Sequence, residues 1–96
     1  MVDQALGKRV SAELPGWVLE GEELVGRWRF PDFAAALAGA VRTGALAERA
    51  DHHPDLRLGW GKLEVRLTTH SAKALTVKDV DLAGKISQAL GAPKGA

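Results

Sequence analysis

An α+β fold is predicted, with a single four-stranded antiparallel sheet covered on one face by two or three helices. Two pairs of short alternating segments, each joined by a glycine-containing turn, read as hairpins. Two longer segments repeat their apolar residues at helical spacing. The helices lie between and after the hairpins rather than alternating with single strands, which favours a layered sandwich. With 96 residues the chain is read as one domain, 1–96, with a thin core.

The first dozen residues place Leu6 and Val10 on one side of a short helix that Gly7 weakens. Pro15-Gly16 marks a turn, Trp17–Glu20 a short strand, Gly21-Glu22 a tight turn and Leu24–Phe30 a second strand. Leu24, Gly26, Trp28 and Phe30 share one face of that strand, and Val25, Arg27 and Arg29 the other. Pro31-Asp32 opens the clearest helix, since proline suits the first turn and an early aspartate favours the positive end of the helix dipole. Phe33, Leu37, Ala40, Val41 and Gly44 form its expected apolar stripe. That helix must end before Asp51-His52-His53-Pro54, because the residue before a proline avoids helical angles. Leu56–Trp60 and Leu63–Thr69 form the second hairpin through Gly61-Lys62, with Leu63, Val65, Leu67 and Thr69 alternating against Glu64, Arg66, Thr68 and His70. Thr76-x-x-Asp79 has capping-box spacing and starts a last helix to about Leu90, buried through Val80, Ala83, Ile86 and Leu90. Gly91-Ala-Pro stops it, and a loose tail is expected from about residue 91.

Thirteen basic against twelve acidic residues give a formal charge of +1. The signs are interspersed, so no nucleic-acid partner is expected. The absence of cysteine excludes disulfides, thiolate metal sites and a cysteine nucleophile. No apolar run approaches the roughly 20 residues that cross a bilayer, and MVDQALGKRV has no signal-peptide core. A cytoplasmic setting and no membrane partner are expected.

All three histidines, His52, His53 and His70, fall in one stretch flanked by Glu48, Asp51, Asp55 and Asp79. Histidine is the side chain that gives and takes protons near neutrality. Three of them with carboxylates at hand suit general acid–base chemistry. The duller reading is a solvated His-His-Pro turn, a solvated histidine at a strand end and an aspartate serving only as a cap. A divalent metal site is the sharper rival. Adjacent ligands point apart, however, and no H-x-H or H-x-x-x-H spacing occurs, so no metal is expected. With no dinucleotide fingerprint and no P-loop, no cofactor is expected either.

Glu48-Arg-Ala-Asp51-His52-His53-Pro54, then Trp60, Thr69-His70 and Asp79, resembles the signature of the pterin-4a-carbinolamine dehydratases. Gly16-Trp17, Arg29-Phe30-Pro31-Asp32-Phe33, Leu75-Thr76, Leu82-Ala83 and Ile86 resemble further family positions, so the likeness runs from about residue 12 to 90. The chain departs from the family pattern at Leu56, where an aromatic is common, and at Gly61, where a polar side chain is common. The resemblance implies dehydration of a 4a-hydroxy-tetrahydropterin, the product of pterin-dependent hydroxylases, to quinonoid dihydropterin. It implies His52 and His70 as acid and base and His53 as the ring anchor. Glu48 and Asp79 would orient imidazoles, with Asp79 serving His70. Asp51, Thr69 and Trp60 would contact substrate, and Trp17 would border the pterin or pack in the core. A pterin substrate, a possible hydroxylase partner and a homodimer or homotetramer follow as expectations. The alternative is a non-catalytic assembly or transcription-cofactor protein on the same fold.

Overall fold

The structure, a computed structural model, describes residues 2–94. Its elements run α1 (Gln4–Glu13), β1 (Val18–Glu20), β2 (Glu23–Arg29), α2 (Phe33–Ala50), β3 (Asp55–Gly59), β4 (Lys62–Leu67) and α3 (Val77–Leu90). The strands form one antiparallel sheet in the order β1-β2-β4-β3. The two hairpins therefore meet through their second strands. The α+β reading holds, with element limits shifted by one or two residues.

Local chemistry sets the element ends. Asp3 caps α1 through Ala5 N and Leu6 N, and Asp32 caps α2 by accepting from Ala35 N at 2.8 Å. Gly61 turns the second hairpin at φ +68°, where a Cβ would lie 2.9 Å from Phe30 O. Thr76 and Asp79 form the complete capping box at the start of α3.

All three helices pack on one face of the sheet. Val10, Ala47, Val80, Ala83 and Ile86 meet Leu24, Trp28, Leu63, Val65 and Leu67 in a single buried cluster. Trp17 and Trp28 stack edge to face at 5.3 Å within it. Trp17 Nε1 donates to Ser87 Oγ at 2.7 Å and Trp28 Nε1 to Gly91 O at 3.0 Å, so both indoles are buried without an unmet donor.

Two expectations fail on packing grounds. The buried face of α2 is Ala36, Gly39, Thr43 and Ala47, while Phe33, Leu37 and Val41 are 44%, 44% and 63% exposed. Size, not hydropathy, decides this. A Cβ on Gly39 would stand 2.8 Å from Phe30 Cζ, so only small residues fit where the helix meets the layer below. The tail is also not loose through residue 94. Besides the bond to Gly91, Pro93 is buried and Lys94 N–H donates to Arg27 O at 2.8 Å. A Cβ on Gly16 would come within 2.3 Å of Pro93 O. Residues 95 and 96 lie outside the described residues.

The other sheet face is a charge lattice. Glu64 accepts from Arg27 Nε and Arg66 Nε, both at 2.9 Å, and Glu20 and Glu23 take further bonds from the same arginines. The bond from Arg66 holds the Glu64 carboxyl below its ordinary 4.5, against the opposing effect of burial. A carboxyl depressed in the folded state stabilises it above the unfolded pKa and stops doing so as pH falls through the folded one. The melting temperature is therefore expected to drop as pH is lowered from about 5 toward 2. Glu64→Gln should flatten that acid limb in a calorimetric pH series; an unchanged limb would remove Glu64 from it.

Candidate active site

His52 and His53 leave α2 through a left-handed turn at Asp51, φ 51°, ψ 42°. Asp51 N–H donates to Glu48 O at 3.2 Å and His52 N–H to Ala47 O at 3.1 Å, the double closure of a Schellman turn. Aspartate enters that region more readily than most residues. Pro54 then keeps His53 extended and feeds β3.

The other half of the site comes from the end of β4. Thr69 bridges back to Ala74, closing a short loop that carries His70 and Ser71, and Thr76 then starts α3. His52, His53 and His70 meet across one cleft of about 270 Å³, with Asp51, Thr68, Thr69, Ser71 and Lys78 completing its wall. That volume lies just under the usual 300–1,000 Å³ of ligand sites and suits a small ring system.

Two imidazoles have fixed carboxylate partners. His52 Nε2 is 2.5 Å from Asp79 Oδ1, and His53 Nε2 meets Glu48 Oε2 at the surface. Asp79 is fully buried. Its Oδ2 accepts from Thr69 Oγ1 at 2.8 Å and from Thr76 N–H at 2.9 Å. The ring of His70 has neither a hydrogen bond nor an ion pair among the described residues, and the residue is exposed on the rim.

The residues expected at the site are thus placed as follows. His52, His53, His70, Asp51 and Thr69 line the cleft, Glu48 flanks it and Asp79 lies beneath it. Asp79 serves His52 rather than His70, because the capping box turns its carboxylate inward toward the ring that reaches it. Thr69 spends its hydroxyl on Asp79. Trp60 does not join the group. It tips the β3–β4 turn, 69% exposed, beyond the far end of a five-residue strand that runs about 16 Å away from His53. Trp17 is core, 5% exposed. The Thr76 hydroxyl, 2.6 Å from that of Thr69, escaped sequence reasoning, although the capping box had marked the residue.

A larger hollow of about 520 Å³ lies on the open sheet face, lined by Arg27, Arg29, Arg57, Lys62 and Glu64 among others. No histidine lines that hollow, whereas the cleft holds every histidine of the chain, so the cleft is the candidate site. Among the described residues, no three His, Asp or Glu side chains converge as a metal site. No helix of the described residues is long and apolar enough to cross a membrane.

Known proteins are similar to this chain in sequence and fold. A protein of Natronomonas pharaonis with the provisional name pterin-4-alpha-carbinolamine dehydratase is 39% identical over 89 residues, covering 92% of this chain and 97% of its own. One from Trichormus variabilis with the same provisional name is 45% identical over 78 residues, 81% of this chain and 84% of its own. The crystal structure of a transcriptional coactivator/pterin dehydratase from Brucella melitensis superposes with a TM-score of 0.82 at 27% identity, over 91% of this chain and 95% of that one. A pterin dehydratase-like protein described as a RuBisCO assembly factor in the alpha-carboxysome shares the fold, with a TM-score of 0.68 at 21% identity, over 80% and 92% of the two chains. The sequence profile of the pterin 4 alpha carbinolamine dehydratases matches residues 1–89, and the chain belongs to that family of hydro-lyases.

Proposed function

We propose that this protein removes water from 4a-hydroxy-tetrahydropterins by histidine acid–base catalysis. One observation carries the reading: imidazoles from two separated segments share a cleft, and carboxylates hold two of them. Family membership and the named relatives support it.

Carbon 4a of the substrate carries a hydroxyl next to a ring nitrogen. A general acid protonates the hydroxyl, the nitrogen lone pair expels water, and a base takes a ring N–H proton. The quinonoid dihydropterin and one water result, with no change of oxidation state. His52 and His70 are assigned to the two proton transfers and His53 to a hydrogen bond on the ring. Asp79 orients His52 and Glu48 orients His53. A placed acid or base typically contributes 10²–10⁴-fold.

Adding the purified protein to a mixture that generates 4a-hydroxytetrahydropterin should accelerate the decay of its absorbance, and EDTA should leave that rate unchanged. No acceleration would sink the assignment in favour of the assembly or cofactor role. A hydroxylase that releases the substrate, in the same cytoplasmic compartment, is the implied partner.

The exposed row Phe33, Leu37 and Val41 on α2 supports self-association into a dimer or tetramer, since a contiguous apolar patch marks an interaction surface. A second copy presents the same row, so a two-fold contact covers both. Leu37→Glu is expected to shift the light-scattering mass to that of one chain without unfolding it; an unchanged mass would place the interface elsewhere.

A further inference from the structure

Beneath the cleft, hydroxyl and amide donors converge on one buried carboxylate, and valence fixes their directions. Asp79 Oδ2 has two neighbours, Thr76 N and Thr69 Oγ1. An amide can only donate, and a hydroxyl against a carboxylate oxygen donates as well. Thr69 has a single hydroxyl proton, which is thereby spent on Asp79. The 2.6 Å contact between the Thr69 and Thr76 hydroxyls must then be donated by Thr76. Thr76 Oγ1 in turn accepts from Lys78 N–H at 3.3 Å. Every donor points toward Asp79.

The consequence falls on His52. Asp79 Oδ1 holds no other bond, and its short contact to Nε2 needs one proton. With both contacts at Oδ2 donated to the carboxylate, its hydrogen bonds are those that favour the ionised form, and that proton is placed on Nε2. Nδ1 of His52 has no partner, yet among the described residues no buried polar side-chain atom lacks one, so Nδ1 reaches solvent. We propose that Thr69 and Thr76 are positioning residues: their one-way hydroxyl chain, acting through Asp79, locks His52 with its proton on Nε2 and leaves Nδ1 as the one atom of that ring that exchanges protons with a ligand. The same capping box that begins α3 thus sets the tautomer of a cleft histidine.

This deepens the dehydratase reading but depends on it only for kinetics. The test is ¹⁵N NMR of the imidazole nitrogens at pH values where His52 is neutral, together with steady-state kinetics of Thr69→Val and Thr69→Ser. The wild type should show Nε2 protonated and Nδ1 bare. Thr69→Val keeps the shape and loses the donor, so His52 should become a mixture of tautomers. Its kcat should fall about 10-fold or more with KM within about threefold, since the loss is at a proton-transfer step. Thr69→Ser should restore both signals. A wild-type His52 carrying its proton on Nδ1 overturns the proposal even if no variant folds, as does an unchanged tautomer and kcat in Thr69→Val. A wild type without dehydratase activity but with the Nε2–H signature would defeat the functional reading and leave the hydroxyl chain standing.

Discussion

Replacing His52 with alanine is expected to lower kcat by about 10²–10⁴-fold, the usual contribution of one placed proton-transfer group. The substitution also strips the short bond from Asp79, whose side chain has no exposed surface. A buried acceptor left with one donor fewer costs about 1–3 kcal/mol. The variant should therefore melt lower yet stay folded, since a domain of this size has about 5–15 kcal/mol to lose. Circular dichroism and the absorbance-decay assay separate the two effects. A fall in kcat of less than about threefold, against the 10²–10⁴ expected of an acid or base, would remove His52 from the chemistry.

Asp79→Asn asks a sharper question, because it hardly changes shape. The oxygen of the new amide should take the Oδ2 position, where the hydroxyl of Thr69 and the amide of Thr76 already donate. Its NH2 then faces His52 and donates to Nε2, which must give up its proton. His52 becomes the opposite tautomer, with hydrogen on Nδ1. In hydrolases whose aspartate holds a catalytic histidine, the same change costs about 10⁴-fold, so a loss of about 10²–10⁴-fold is expected here. The helix start should survive, because the amide oxygen still accepts from the Thr76 amide. Full activity in a folded Asp79→Asn protein would show that the tautomer of His52 does not matter.

How far the sequence reveals the fold depends on how local the relevant chemistry is. Caps and turns are local, and Asp32, Thr76, Gly21 and Gly61 mark their elements within a residue or two. Strand alternation is equally direct: Leu63, Val65, Leu67 and Thr69 are buried in step. The rotation of α2 is not local. It depends on Phe30 filling the space below Gly39, and a hydropathy stripe chooses large residues where the packing admits only small ones. The anchoring of Pro93 and Lys94 likewise depends on contacts with Gly16 and β2 from the other end of the chain.

The site divides in the same way. The three histidines stand out by their nearness in sequence, the family resemblance adds Asp51 and Thr69 as substrate contacts, and all five share one cleft. Which carboxylate meets which ring could not, because it turns on the direction of the Asp79 side chain inside the capping box. The position of Trp60 was within reach of sequence reasoning. A strand that begins just after His53 carries its far end away from it, and Trp60 follows that end. The charge lattice on the open face escaped notice because Glu20, Arg27, Glu64 and Arg66 are scattered in sequence and meet only through strand register.

The most direct test is a crystal structure with 7,8-dihydropterin bound. The pterin ring should lie in the cleft, with His52 Nδ1, His53 and His70 within hydrogen-bonding distance of it and Asp79 still bound to His52 from below. A ring seated in the open-face hollow among Arg29, Arg57 and Lys62, or a cleft in which His70 turns away from the ligand, would contradict the account.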